Sequence, residues 1–205
     1  MATKSVQAGA SAPEESDQIG RAQQLVGKDR RAGLDALNAL FRGGTVPNPP
    51  LDGPYDGELV ALDIAPGVSG FLEWLTSFLM PWKGKFVITA DAKGDNIFAQ
   101  SWRFVLGLAF PFYRGNRDYG PDRYRAFIFD TSVAPGKVDT DRQVFRIDYD
   151  RPDNPALSIR RIVDELVQLR AGVYLGKVHF KWWWGKWQMI GYFALRRPPN
   201  PEGPR

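Results

Sequence analysis

The 205-residue chain contains no cysteine and a single histidine, His179. Without Cys there is no disulfide, thiolate metal site or Cys nucleophile, which fits a reducing compartment. One His excludes a His-based metal cage and an HExxH zinc site. Long apolar runs are also missing. The longest uncharged one, Phe104–Tyr113, is interrupted by Pro111 and falls short of the about 20 residues that a spanning helix needs. Met1–Gln18 has no apolar h-region, so it does not read as a secretory signal, and a cytoplasmic location is the expectation. No P-loop, GxGxxG after a strand, GxSxG elbow or kinase set is present.

What the chain has in excess is aromatic residues, at 13% with seven Trp and thirteen Phe, within a hydrophobic content of 43%. That is enough apolar material for one sizeable core. Charge is balanced overall at +4, but residues 151–205 hold ten Lys+Arg against four Asp+Glu. Such a quarter reads as a solvated face, or as a surface for phosphates or anionic lipid.

Residues 1–18 read as a disordered leader, 19–197 as a single domain and 198–205 as a Pro/Arg tail. Leu34, Leu37, Leu40 and Phe41 recur at helical spacing from about Asp29, and Gly43-Gly44 gives a stop. Ile19–Val26 reads as a separate turn or two of helix. Strands are expected over 58–64, 85–90, 97–104, 124–131, 143–149, 173–183 and 186–195, with 107–113 as an ambiguous further one. Ser69–Leu79 reads as a short helix. Asn154-Pro155 predicts a late helix with Ile159, Ile162, Val163, Leu166, Val167 and Leu169 as its buried stripe, closed by Gly172. Strands joined by short loops imply an antiparallel sheet, and about eight of them can close into a barrel holding one small ligand.

A helix followed by Gly53-Pro54-Tyr55-Asp56-Gly57, and then by Trp82-Lys83-Gly84-Lys85 about 25 residues on, resembles calycin/lipocalin-type barrels, GXWXG-type domains in particular. Tyr55 stands where the motif has Trp, and the Ser69–Leu79 insert is longer than in that pattern. The resemblance implies a barrel with an apolar interior, a fold that hosts carriers, haem-binding barrels and a few cyclases or isomerases.

The candidate site residues follow from pattern. Tyr55 and Trp82 read as aromatic plugs, or, for Trp82 with Lys85, as a ligand mouth. Asp63 ends an apolar strand and is either a pocket acid or a strand-end ion pair. Trp102, Arg103 and Arg146 lie in expected strands. An Arg146–Asp148 ion pair on the outer face competes with a pocket guanidinium. Asp164 and Glu165 fall off the expected helical stripe and read as solvated or paired. Val178, Phe180 and Trp182 alternate against His179, Lys181 and Trp183, so His179 shares a face with Lys181 and reads as outer, although one axial His would suffice for haem. In the segment 181–187, four Trp are interleaved with two Lys. Trp182 and Trp184 are expected to face the barrel with Trp187, Met189, Phe193 and Leu195, leaving Trp183 exposed.

Together these readings predict an α+β fold: an antiparallel calycin-like β-barrel of about eight strands, with an N-terminal helix and one late packed helix. The function expected is binding of an apolar or amphipathic small molecule, with Trp82, Lys85, Trp102, Arg103, Arg146, Trp182, Trp187 and Phe193 as ligand contacts. No cofactor or metal is expected. A cofactor-independent cyclase or isomerase would use Asp63 as acid/base and Tyr55 or Tyr174 as hydrogen-bond donor. A peripheral membrane or protein-assembly module would use the Trp-rich hairpin. No RNP, KH, zinc-finger or helix-turn-helix pattern supports nucleic acid.

Overall fold

The computed structural model describes residues 18–63 and 81–199. The expected leader up to residue 17, the Ser69–Leu79 helix and the end of the tail from residue 200 lie outside them.

Helix α1 (Gln18–Lys28) and helix α2 (Arg30–Gly43) form a hairpin. Asp29 caps α2 by accepting a hydrogen bond from the Ala32 N–H at 3.0 Å, and Gly44 terminates it with its N–H on the Leu40 and Phe41 carbonyls. The apolar spacing puts Leu37 and Phe41 of α2, with Ile19 and Ala22 of α1, on one buried face.

The strands are β1 (Gly53–Leu62), β2 (Trp82–Ile88), β3 (Lys93–Ala99), β4 (Arg117–Asp118), β5 (Arg123–Pro135), β6 (Gln143–Asp148), β7 (Ile162–Arg170), β8 (Val173–Lys181) and β9 (Trp187–Arg196). All pairings are antiparallel. Their order, β3-β2-β1-β9-β8-β7-β6-β5, closes on itself through β3–β5, so eight strands make a barrel and the two-residue β4 adds to β5. Closure leaves no exposed sheet edge around the barrel. This matches the expected architecture and is compatible with a calycin-like fold.

The two ends differ. One has the tight turn Ala171–Gly172 and the connections 89–92 and 136–142. The other carries the longer connections 100–122 and 149–161 together with the Trp182–Lys186 turn. At the tight end, Tyr55 meets Tyr174 edge-on at 5.5 Å between ring centroids. Gly84, at φ +143°, sits so close to β1 that a Cβ there would lie 1.9 Å from the Tyr55 carbonyl oxygen. Only glycine permits that approach.

Two apolar layers result. The lumen holds aromatic rings, among them Phe98, Phe127, Phe129 and Tyr124. Outside, α1 and α2 cover Val60, Val167, Val173, Leu175, Tyr192 and Ala194 on one flank.

The late helix expected from Asn154 to Gly172 is not there. Pro155 opens a loop, 159–161 form one 3-10 turn, and 162–170 are strand β7. Ile162 and Leu166 face the lumen while Val167 faces the outer layer. With both faces of β7 covered, apolar residues occur at both parities and mimic a helical stripe. The short later helix is instead α3 (Arg103–Ala109), where strand was expected to continue to Phe104 and resume at Gly107. Leu106 is its buried residue, whereas Phe104 and Leu108 are exposed.

Candidate functional site

The lumen contains one buried polar cluster, built from four places in the chain. Lys85 on β2 is 2% exposed, and Asn96 on β3, Tyr149 just after β6 and Asp164 on β7 are equally enclosed. Strand alternation brings them together, because Lys85 is in register with Asn96 and Asp164 with Ile147.

The Lys85 ammonium has three protons and three acceptors: Asp164 Oδ2 at 2.7 Å, Asn96 Oδ1 at 3.0 Å and the Tyr149 hydroxyl. This saturated geometry belongs to the protonated amine. Burial pulls the Lys85 pKa below the ordinary lysine value, and the charge of Asp164 works against that. The rings of Trp82, Phe129, Tyr149 and Phe193 lie 5.1–5.5 Å from the ammonium and box it in. Asn96 Oδ1 also accepts from Trp82 Nε1 at 3.1 Å and from Tyr149 at 3.0 Å, while its Nδ2 donates to the Phe127 carbonyl at 3.4 Å. Phe127 holds a left-handed conformation, φ +57°, which is unusual for so bulky a residue. Burial, reinforced by the charge of Asp164, raises the Tyr149 phenol well above its usual value, so it stays a neutral donor.

Asp164 is only half satisfied. Oδ2 accepts from Lys85 and shares the single Tyr149 hydroxyl proton with Asn96 Oδ1, at 3.1 and 3.0 Å, but Asp164 Oδ1 is buried without a partner. A cavity of about 30 Å³ adjoins the cluster, lined by Asp164, Lys85, Asn96, Tyr149 and Trp82 and by apolar groups that include Leu59, Ile162 and Phe193. That volume admits one or two water-sized groups. Gly57 forms part of the floor for Trp82, whose indole lies where a Cβ would be, 2.4 Å from it.

Of the sequence candidates, Trp82, Lys85 and Phe193 line this cavity. Tyr55 and Tyr174 are buried in the lumen toward the tight end, and the Tyr55 hydroxyl accepts from the Asp52 N–H at 3.3 Å. Asp63 is outside the barrel, 41% exposed and 3.7 Å from Arg30, so it is a strand-end ion pair. Trp102 is half-buried in a 3-10 turn and Arg103 pairs with Asp118 at the surface. Arg146 points outward and donates to the Pro135 carbonyl, the partner found in place of the expected Asp148. Trp182 is buried at the rim, with Nε1 on Gln188 at 2.8 Å and its ring stacked on Trp184 at 5.1 Å.

Trp187 and Met189 do not face the lumen as expected. Trp187 lies between Lys137 and Lys181, at 4.9 and 5.9 Å, and Met189 packs in the outer layer. The cause is a bulge where the β8–β9 register slips at Ile190, which reverses the parity of β9 before Gly191. Phe193 and Leu195, beyond the bulge, face inward. Trp184, expected inside, is 66% exposed because it sits in the turn.

His179 is on the outer face, as alternation predicts, but fully enclosed rather than solvated. It lies 3.8 Å from Glu165, whose Oε1 accepts from the Lys137 N–H of the β5–β6 connection. Beside it, Lys177 is bound by Asp139 and Asn38 at 2.5 and 2.7 Å. Burial and the nearby Lys177 lower His179 to about 4. A haem in the lumen could not reach this imidazole. Among the described residues no group of three or more His, Asp or Glu is arranged to hold a metal.

Asn96 and Tyr149 were absent from the sequence candidates, and Asp164 and Glu165, read as solvated or paired on an expected helix, are buried on β7, with Asp164 paired to Lys85. The available signal was Ile162-Val163-Asp164-Glu165-Leu166-Val167 read with period two, which puts Asp164 on the face of Ile162 and Leu166.

No family model matches the chain, and no curated protein matches it. A crystal structure of a protein from Thermomonospora curvata is similar, with a TM-score of 0.50 and 16% identity over 89% of this chain and 99% of that one. Similarity at that identity supports the barrel fold alone.

Proposed function

We propose that the barrel binds a small amphipathic molecule whose polar head is a neutral hydrogen-bond donor, such as a hydroxyl. The observation that carries this reading is the unpartnered Asp164 Oδ1 beside a cavity. A buried acceptor left unmade costs about 1–3 kcal/mol, so a donor arriving there recovers that cost. Lys85 already balances the carboxylate charge, which favours a neutral head over a cation. The present volume suits the head only. Accommodating an apolar body requires side chains to move apart on the Leu59, Ile159 and Ile162 side, toward the end with the long connections. A calycin-type carrier is the family-level form of this proposal.

The test is calorimetric titration with matched pairs of apolar alcohols and their parent hydrocarbons. A hydrogen bond to a charged group contributes about 1.5–3 kcal/mol, so alcohols should bind roughly 10–150-fold more tightly. Equal affinity within each pair, or no binding across the panel, would overturn the proposal.

One observation favours a second reading, a cofactor-independent cyclase or isomerase. Tyr149 offers a proton and Asp164 an acceptor on the same apolar cavity. In that case Tyr149→Phe abolishes product formation while alcohol binding persists.

A further inference from the structure

Nine large apolar side chains are exposed among the described residues, and seven of them belong to the end with the long connections. They are not scattered. Phe104 and Leu108 project from α3, and Phe112 follows at 91% exposure. A groove lined by Phe112 and Leu157 joins that segment to the β6–β7 connection. A second groove, lined by Leu157, Arg160, Arg161, Lys181 and Trp183, joins it to the Trp182–Lys186 turn. Trp183 and Trp184 stand out from that turn at 61% and 66% exposure.

Charge around the indoles has one prevailing sign, whereas the Phe112–Leu157 groove carries Asp153 and no cation among its lining residues. Lys181, Lys186, Arg160 and Arg161 surround the exposed indoles, with Asp150 as the acid in the same groove, paired to Arg160 at 2.7 Å. Arg161 extends over the Trp183 ring at 6.0 Å. Indoles with flanking cations are the combination that settles at a membrane interface, where the ring occupies the headgroup level and the cation meets phosphate. A protein partner would call for apolar side chains gathered into a packed centre, whereas here they crown separate loops.

We propose that this end of the barrel docks on an anionic lipid bilayer. Phe112, Leu157, Trp183 and Trp184 enter the interface, and Lys181, Lys186 and Arg161 contact lipid phosphate. The docking stands independently of what the lumen binds. If the lumen takes an amphipathic molecule, the bilayer lies against the end of the barrel toward which the cavity must open.

Flotation of the full chain with vesicles tests this, using phosphatidylcholine alone and phosphatidylcholine mixed with phosphatidylserine. Wild type should float with the anionic vesicles, roughly tenfold or more in preference to the neutral ones, and lose binding in high salt. Phe112→Ser/Trp183→Ser should lower vesicle affinity at least about tenfold. Lys181→Gln/Lys186→Gln, at exposed positions that leave folding unaffected, should abolish the anionic preference. Val133→Ser/Val138→Ser, exposed outside this end, should bind like wild type. Three results would each overturn the proposal: no flotation of wild type, flotation unchanged in both the aromatic and the lysine variants, or wild-type self-association in sedimentation velocity that Phe112→Ser/Trp183→Ser abolishes while vesicles bind neither protein.

Discussion

The Lys85–Asp164 pair offers the sharpest test of the lumen. Its side chains are 2% and 6% exposed and their charged atoms are 2.7 Å apart, so neither charge has solvent to fall back on. Lys85→Met removes the ammonium and leaves Asp164 with the Tyr149 hydroxyl as its donor. Breaking a buried pair from one side costs about 3–5 kcal/mol. For a chain of this size each kcal/mol moves Tm by roughly 2–4 °C, so the loss should be roughly 6–20 °C. Asp164→Leu should cost a similar amount by stranding the ammonium. The double variant Lys85→Met/Asp164→Leu removes both charges, keeps similar volume and leaves Asn96 Oδ1 to satisfy Trp82 and Tyr149. It should return to wild-type stability or exceed it by about 1–4 kcal/mol. Urea unfolding of the four proteins, with m unchanged, gives the coupling energy. Single variants within about 1 kcal/mol of wild type, or a double equal to the sum of the singles, would refute the sealed-pair account. A double that folds well but loses its preference for alcohols would show that the pair is retained for binding rather than for stability.

Three further outcomes follow from the geometry. The pKa of His179 is about 4 in the folded protein against 6.5 in the unfolded chain. Between those values the unfolded chain takes up a proton that the folded one excludes, so stability falls with pH, by roughly 3 kcal/mol at pH 4. Burial raises Glu165 and acts in the opposite direction, so the measurement is the difference in stability–pH slope between wild type and His179→Asn; parallel slopes would remove the His179 contribution. Gly84→Ala forces a Cβ to 1.9 Å from the Tyr55 carbonyl at φ +143° and should destabilise by about 2 kcal/mol or more, which a near-unchanged urea midpoint would contradict. Asp63→Asn removes only an exposed ion pair, so stability should change by no more than about 1 kcal/mol and ligand binding not at all; a large loss of binding would return Asp63 to the site.

The amino-acid sequence alone determined a good deal. Lack of Cys and a single His excluded whole classes of chemistry. Turn residues and short apolar runs implied an antiparallel barrel, and Asp29 with Gly43-Gly44 marked the ends of α2. Period-two alternation placed Val178, Phe180 and Trp182 inside and His179 outside, because the extra residue at that point of the β8–β9 pairing belongs to β9 and leaves β8 regular.

Tertiary structure alone decided the polar cluster. Lys85, Asn96, Tyr149 and Asp164 come from four segments as much as 79 positions apart, and only barrel closure puts them around one ammonium. Strand β7 hid its period because the lumen covers one face and the outer layer the other, so both parities are apolar. One extra residue at Ile190 reversed the facing of Trp187 and Met189. Local patterns record what a segment buries, but which side it is buried on depends on neighbours that closure and register supply.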